Sequence, residues 1–395
     1  MQTFGSFLVA ALAVGFASGS VMSSNSGAFE LKQTGSPKWS NRNGPQALAN
    51  AYAKYGKVVP EHVALAAANR AKNKKKKHHK RGRGSATAES IMDDLEYLVN
   101  ARLGSDKQYM RLDLDTGSSD LWVFSTETID AGSQRKYNPK SSSSAKKLHG
   151  AHWKISYGDG SSCSGDVYTD EITIGGLTVQ GQAIESAREV SRQFARGKGD
   201  GLLGLAFSEL NTVKPKKQNT WFDNLKPQLD SPVFVADLRH KNPGTYFFGF
   251  VPKDAEDASY VEVDSSDGFW GFNATTNFGE VQGIADTGTT LLLLDDKTVE
   301  GYYADVKSAQ NDQQQGGFIF DCTEALPDFS FSVGGSNITI AGELINYSHA
   351  SGAKCYGGIQ AAGNIPFNIF GDVAMKAAYV VFDVGNNRLG WAQKK

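Results

Sequence analysis

The sequence lacks features that would place it in several protein classes. It has three cysteines in 395 residues, so at most one disulfide can form and a disulfide framework cannot replace a hydrophobic core. After residue 20, no stretch reaches the 18 consecutive apolar residues of a membrane-spanning helix, so we expect no membrane anchor. The seven histidines are not spaced as a ligand set, so we expect no metal and no cofactor. Helical periodicity in the body is confined to short stretches at 221–229, 298–306 and 373–378.

Residues 1–20 have the pattern of a signal peptide. A short apolar run at 7–16 is followed by the small residues 17–20, although no Lys or Arg precedes the run. The run is too short to cross a membrane. We therefore expect a secreted, extracellular protein.

A basic segment follows at 21–84. It holds 14 Lys and Arg against two acids, whereas the body from residue 85 holds 27 Lys and Arg against 40 Asp and Glu. Residues 47–68 are rich in Ala and Leu and predict helix, and 72–83 form a basic run. Because a nucleic-acid-binding arm is unexpected behind a signal peptide, we interpret this segment as a removable pro-segment. It would dock on the acidic body, with Lys80-Arg81 as a processing point.

The body of 311 residues has the texture of a β protein. Alternating apolar residues at 109–115 and 153–157 predict half-buried strands, and the run at 121–124 predicts a buried one. Glycine turns at 158–160 and 175–176 predict hairpins. The expected fold class is all-β, as a barrel or sandwich.

The cysteines and three sequons add candidate covalent sites. Cys322 and Cys355 can close one loop, which would leave Cys163 as a free thiol that we interpret as a small buried hydrophobe. In a secreted chain the sequons are candidate glycosylation sites, at Asn273, Asn337 and Asn346.

Two short stretches of the body are nearly identical. Leu114 is followed by Asp-Thr-Gly-Ser at 115–118, and Ala285 by Asp-Thr-Gly-Thr at 286–289. The alternative is a pair of ordinary turns, since Asp, Thr and Gly are all turn formers. A weaker sequence similarity between 201–204 and 369–372 also favours a duplicated fold with one shared site.

Two carboxylates that face each other have a distinct chemistry. Asp115 and Asp286 would share one proton, because both cannot ionise easily at short range. The ionised partner can take a proton from water while the protonated partner hydrogen-bonds a substrate carbonyl. Three supporting pairs are expected: glycines that admit backbone N–H groups, hydroxyls that donate to the carboxylates, and hydroxyls that reach the opposite loop. These are Gly117 and Gly288, Ser118 and Thr289, and Thr116 and Thr287, respectively.

Several stretches together resemble the pepsin family of aspartic endopeptidases, in particular its secreted fungal aspergillopepsin and penicillopepsin group. They lie at 115–124, 156–161, 200–207, 283–294 and 370–372, and the resemblance extends over 96–391. It implies a bilobal fold with an N-terminal lobe at 85–255, a C-terminal lobe at 256–395 and a cleft between them. It also implies protein or peptide substrates, inhibition by pepstatin-type compounds and a monomer.

The resemblance further assigns roles to individual residues. Tyr157, Gly158 and Asp159 become the tip of a hairpin flap over the cleft, with Tyr157 bonded to the indole of Trp122. Asp159 would favour Lys before the cut, beside the usual large apolar residues. Lys54 resembles the pro-segment lysine that reaches the two aspartates in a zymogen. The alternatives are an ordinary hairpin turn, a buried tryptophan and one basic residue on a solvated helix.

Three places depart from the family pattern: the turn at 104–108, Cys163 just past the flap tip, and the stretch between Lys253 and Asn277, which is shorter than usual. Two other functions also compete with the protease interpretation. The turn before the first Asp strand reads Gly-Ser-Asp-Lys-Gln at 104–108 and lacks the family's proline, which questions its rigidity. A pseudoprotease would be indicated by the loss of an active-site Asp or of the flap tyrosine, and all three are present. A glycosidase also uses paired carboxylates, but it needs neither the Asp-Thr-Gly sequence nor the repeat.

Overall fold

A computed structural model describes residues 27–32, 42–74, 98–156, 162–191, 195, 198–240 and 242–395. The predicted signal peptide, the Lys80-Arg81 pair and the flap tip at 157–159 lie outside these described residues. The described residues are mostly β, with 43% strand and 17% helix, which confirms the predicted fold class.

The strands of the described ranges fall into four sheets. Those before residue 256 are β1 (Phe29–Lys32), β2 (Leu98–Leu103), β3 (Gln108–Asp115), β4 (Leu121–Phe124), β5 (Lys146–Ser156), β6 (Ser162–Ile174), β7 (Leu177–Val190), β8 (Gly201–Gly204), β9 (Val233–Asp237) and β10 (Thr245–Phe248). Those after it are β11 (Ser259–Glu262), β12 (Gly271–Thr276), β13 (Gly279–Ala285), β14 (Leu292–Leu294), β15 (Gln310–Asp312), β16 (Gly317–Asp321), β17 (Phe329–Val333), β18 (Ser336–Ile340), β19 (Asn346–His349), β20 (Lys354–Gly357), β21 (Ile359–Ala361), β22 (Asn368–Phe370), β23 (Ala378–Asp383) and β24 (Arg388–Gln393).

The two lobes repeat one strand arrangement. In the first, β2-β3-β8-β4-β7 are neighbours, and β6 returns to β2 and closes a six-stranded barrel. In the second, β12-β13-β22-β14-β21 follow the same order in a curled half-barrel sheet. The pairings also match, because β3–β8 and β13–β22 are parallel while β4–β8 and β14–β22 are antiparallel. The fold is therefore a bilobal duplication, while the boundary between 255 and 256 stays a prediction.

A third sheet joins the lobes. Its order is β1-β10-β9-β23-β24-β11. It therefore contains strands from the sequence of both lobes and one strand of the basic segment. The fourth sheet, β15-β16-β20-β19, belongs to the second lobe. The alternation predicted for β3 is present, since Met110, Leu112 and Leu114 are all buried in the main core. The β2–β3 hairpin also forms without proline, with Gly104 at φ +76° and Lys107 at φ +56°.

The α-helices of the described residues are α1 (Gly44–Lys54), α2 (Glu61–Lys74), α3 (Trp221–Leu225), α4 (Asp296–Ala304), α5 (Gly342–Ile345) and α6 (Asp372–Met375). The helix expected at 47–68 is divided into α1 and α2. The chain leaves α1 through Gly56, whose φ of +64° favours glycine, and Pro60 precedes α2. None of the helices in the described ranges is long and apolar enough to cross a membrane.

The apolar face of α1 packs on the second lobe. Leu48, Ala51 and Tyr52 are buried in one cluster with Ile319 and Tyr356 of that lobe. Asn43 begins the helix by accepting a hydrogen bond from the N–H of Gln46. This packing brings the end of α1, at Lys54, to the cleft.

Candidate active site

The two Asp-Thr-Gly loops lie at equivalent places in the two lobes. Asp115 ends β3 and pairs with Gly204 of the parallel strand β8, while Asp286 follows β13, whose neighbour is β22. The two similar strand-to-glycine stretches, 201–204 and 369–372, lie directly behind the loops. A Cβ on Gly204 would lie 2.5 Å from the Ser118 carbonyl oxygen, and one on Gly371 would lie 2.1 Å from that of Thr289. Only glycine fits at either position.

The two loops are bonded to each other by Thr116 and Thr287. The N–H of Thr116 donates to the Thr287 hydroxyl at 3.1 Å, and the N–H of Thr287 donates to the Thr116 hydroxyl at 2.9 Å. Each hydroxyl then donates to a carbonyl of the opposite loop, at Ala285 and Leu114. These four bonds form a local twofold arrangement and fix the separation of the two aspartates.

Each carboxylate receives the same two hydrogen bonds. Asp115 accepts from the Gly117 N–H at 2.8 Å and from the Ser118 hydroxyl at 2.6 Å. Asp286 accepts from the Gly288 N–H at 2.9 Å and from the Thr289 hydroxyl.

The two carboxylates also face the opposite loop. A Cβ on Gly117 would lie 2.5 Å from Asp286 Oδ1, and a Cβ on Gly288 would lie 2.3 Å from Asp115 Oδ1. The loops therefore need glycine at both places, because any side chain would displace the opposite carboxylate.

The basic segment places a cation between the aspartates. Lys54 Nζ lies 2.7 Å from Asp115 Oδ1 and 2.7 Å from Asp286 Oδ1. Tyr55 donates its hydroxyl proton to Asp286 Oδ2 at 2.5 Å. The Tyr55 ring packs edge-on against Phe269 and Phe367. Both carboxylates are thus covered by consecutive residues from the end of α1.

Burial and charge act in opposite directions on these groups. Burial raises the pKa of Asp115 above its ordinary value despite the attraction of Lys54. At Asp286 burial is outweighed by the Lys54 ammonium and by hydrogen bonds from Thr289 and Tyr55, which hold the pKa below its ordinary value. Burial also opposes the charge of Lys54, but the two carboxylates raise its pKa. Lys54 lowers the proton affinity of both aspartates, so bound Lys54 and a protonated pair disfavour each other.

The comparisons with known proteins agree with this geometry. Residues 96–394 match the eukaryotic aspartyl protease family. The chain is 45% identical over 379 residues to aspergillopepsin-1 of Aspergillus fumigatus, covering 92% of each chain. It is 46% identical over 386 residues to endothiapepsin of Cryphonectria parasitica, covering 93% of this chain and 91% of the relative.

The chain belongs to the aspartic proteases of the pepsin family. Penicillopepsin-2 of Penicillium janthinellum is 46% identical over 361 residues, with 89% and 88% of the two chains covered. A crystal structure of an aspartic proteinase from Irpex lacteus has the same fold, with a TM-score of 0.65 and 24% identity over 77% of this chain and 95% of that one. A glycosidase is therefore excluded.

The flap of this protease is described only in part. Its two strands, β5 and β6, are the hairpin expected from the sequence, while Tyr157, Gly158 and Asp159 lie outside the described residues. Trp122 is buried at the base of the flap, and its ring stacks on Trp153 at a centroid distance of 6.3 Å. The roles of the flap tip stay predictions.

The disulfide, the free cysteine and the candidate glycosylation sites differ in accessibility. Cys322 and Cys355 form a disulfide with an S–S distance of 2.02 Å. Cys163 is a buried free cysteine, and burial raises the pKa of its thiol, so it is not poised to react. Of the sequon residues, Asn273 and Asn337 are exposed and Asn346 is half-buried. No group of three His, Cys, Asp or Glu side chains within the described ranges is arranged to hold a metal ion.

Sequence reasoning missed two contacts of the protease's basic segment. Tyr55 follows Lys54, yet nothing in the sequence indicates that its hydroxyl reaches Asp286. Arg70 donates to the carbonyl oxygens of Ala350 and His349 on the second lobe. Both contacts depend on how α1 and α2 pack, and the sequence pattern carries no signal for that.

Proposed function

We propose that this protein is a secreted acid endopeptidase, made as a zymogen, in which Asp115 and Asp286 activate a water molecule. One observation carries the proposal: two loops with the same sequence present two carboxylates with the same hydrogen-bond donors, and one lysine of the basic segment contacts both. Two unrelated turns would not be expected to place their carboxylates against the same lysine ammonium.

The mechanism follows from the removal of Lys54. Without its positive charge, two buried carboxyls at short range hold one proton between them. The ionised carboxylate accepts a proton from water, and the water oxygen attacks the peptide carbonyl carbon. The protonated carboxyl donates a hydrogen bond to the carbonyl oxygen, so no covalent enzyme intermediate is needed. Ser118 and Thr289 keep the carboxylates oriented, while Gly117 and Gly288 supply N–H groups.

The zymogen state follows from the docked segment. Lys54 and Tyr55 occupy the position where water and substrate would bind. Because the Lys54 charge lowers the proton affinity of both aspartates, bound Lys54 favours their ionised forms. Docking is therefore strongest at neutral pH and weakens as the pH falls and the pair takes up its proton. Acid would release the segment, and cleavage near Lys80-Arg81 would remove it.

The proposed specificity has two parts. Phe269 and Phe367 pack on the Tyr55 ring beside the aspartates, so they would contact a large apolar substrate residue once the segment leaves. Asp159 at the flap tip would pair with a Lys before the cut. We further propose that the enzyme is active on protein or peptide substrates, as expected for an aspartic protease, and that it is monomeric and inhibited by pepstatin-type compounds.

Digestion of denatured haemoglobin at acid pH tests the proposal. The acid-treated precursor should cleave it, pepstatin should stop the cleavage, and Asp115→Asn and Asp286→Asn should each lower activity by about 10²–10⁴-fold or more. Asp257→Asn, the same substitution at an exposed position, should be fully active. Cleavage that resists pepstatin, or none after acid treatment, would overturn the proposal.

A further inference from the structure

A second pair of carboxyls is buried behind the first active-site loop. Asp120 lies in the loop between β3 and β4, and Glu185 lies on β7 opposite Trp122 of β4. Their exposed fractions are only 2% and 1%. The mechanism proposed above uses neither residue, and Asp or Glu side chains are rarely fully buried unless they are paired.

The side chain of Asn211 joins the two carboxyls. Its Oδ1 accepts hydrogen bonds from the N–H groups of Val213, at 3.2 Å, and Gln218, at 2.8 Å, which fixes the orientation of the amide. Its Nδ2 therefore donates, to Asp120 Oδ1 at 2.7 Å and to Glu185 Oε1 at 3.0 Å. The two carboxyls are thus held on one donor atom.

Within the described part of the chain, no positive charge compensates this pair of carboxyls. Among the described residues, no Lys, Arg or His forms an ion pair with Asp120 or Glu185. The other titratable group facing them is the buried thiol of Cys163 on β6. On the neighbouring β5 and the 211–218 segment, His152 and Lys214 are exposed.

The surroundings favour neutral groups. Trp122, Trp153 and Val213 form the adjacent apolar cluster. Burial raises the pKa of Asp120, and burial together with the charge of Asp120 raises the pKa of Glu185 well above its ordinary value. Two negative charges at this place would lack the solvation that either needs.

We propose that Asp120 and Glu185 share a single proton, and that this proton positions the active-site loop at 115–121. Asp120 ties the loop to the rest of the lobe in three ways. Its side chain accepts from Asn211 and from the N–H of Thr212 at 2.8 Å, and its carbonyl accepts from the N–H of Gly204 at 2.9 Å. When both carboxyls ionise, repulsion separates them and releases this end of the loop.

The sign of the pH dependence follows. The native state binds one more proton than the unfolded chain wherever the pH lies above the ordinary Glu pKa of about 4.3 and below that of the folded pair. Across that window the folded/unfolded ratio falls about tenfold per pH unit.

The test compares Glu185→Gln with Glu189→Gln. A glutamine at 185 can donate to Asp120 and accept from Asn211, as a protonated glutamate does, so it imitates the shared proton at every pH. Glu189 is exposed on the same strand and provides the matched control. Both changes are made in the full chain with Asp286→Asn, which prevents self-digestion, and urea unfolding is followed by tryptophan fluorescence from pH 4 to pH 8.

We expect the folded/unfolded ratio to fall with pH less steeply in the Glu185→Gln chain than in the parent. The difference should be about tenfold per pH unit. Glu189→Gln should decline like the parent. A parallel decline in Glu185→Gln and the parent would overturn the proposal. If Glu185→Gln does not fold, carbon-13 NMR titration of the carboxyls of the parent chain tests the proposal instead. The proposal is overturned if no carboxyl titrates far above the ordinary range.

A second measurement concerns the loop itself and rests on the proposed function. Activated enzyme is held at rising pH, returned to acid and assayed on haemoglobin. Glu185→Gln should keep its activity to a higher pH than wild type, with equal activity at acid pH. An equal loss would contradict the positioning role. The unfolding series needs no catalysis, so it separates failure of the pair from failure of the proposed function.

Discussion

Thr116 and Thr287 exchange backbone-to-hydroxyl hydrogen bonds across the cleft, at 3.1 Å and 2.9 Å. Thr116→Val removes one hydroxyl and leaves the Thr287 N–H and the Ala285 carbonyl without their partner. We expect unfolding free energy to fall by roughly 1–3 kcal/mol for each group left unpaired. We also expect kcat to fall by up to about 100-fold, because an ångström-scale shift misplaces the carboxylates.

Urea unfolding and steady-state kinetics check this prediction. Thr116→Ser keeps the hydroxyl and serves as the control, with near-normal stability and kcat. Equal behaviour of the Val and Ser variants would show that the exchanged bonds do not hold the loops.

Lys54 should set the pH at which the precursor activates. Lys54→Met removes both ion pairs that hold the segment on the aspartates, so the segment is held less tightly and is released at a higher pH. Hydrogen bonds to charged groups contribute about 1.5–3 kcal/mol, which predicts roughly 10- to 100-fold faster self-activation at the same mildly acid pH.

The rate of segment release, followed by gel electrophoresis across pH, checks the prediction. Lys54→Arg preserves the charge and is the control. If the Met variant and wild type activate with the same pH dependence, the lysine does not control activation.

Asp159 should determine the acceptance of Lys before the cut. Asp159→Ser removes the carboxylate that would pair with the substrate ammonium, so kcat/KM for peptides with Lys at that position should fall about 10- to 100-fold. Matched peptides with Phe or Leu should be cleaved as before. Loss of both activities together would assign Asp159 to flap structure rather than to specificity.

The disulfide should stabilise the second lobe through its 33-residue loop. Replacing both Cys322 and Cys355 by Ser should lower the unfolding free energy by about 3–4 kcal/mol, since the unfolded chain regains loop entropy. The urea midpoint measures this, with Cys163→Ala as a control that keeps the bond. An unchanged midpoint would mean that the cross-link contributes nothing to equilibrium stability.

Much of the candidate site could be predicted because each aspartate is held by residues next to it in the sequence. Asp115 with Gly117 and Ser118 forms a turn whose own N–H and hydroxyl hold the carboxylate, and the same code recurs at Asp286. The strands were predictable for the same reason, since alternation along β3 needs no distant partner. The break in the helix expected at 47–68 has local signals as well, because Gly56 and Pro60 separate α1 from α2.

The sequence by itself determined the all-β class, the two aspartates, their glycine and hydroxyl partners and the separate basic segment. Each of these depends on a local turn, on residue alternation or on composition. Only the tertiary structure decided that the two loops bond to each other, that Tyr55 reaches Asp286, and that Asn211 joins Asp120 to Glu185. The reason is physical: partners 26 to 231 residues apart meet only when whole strands and helices have packed.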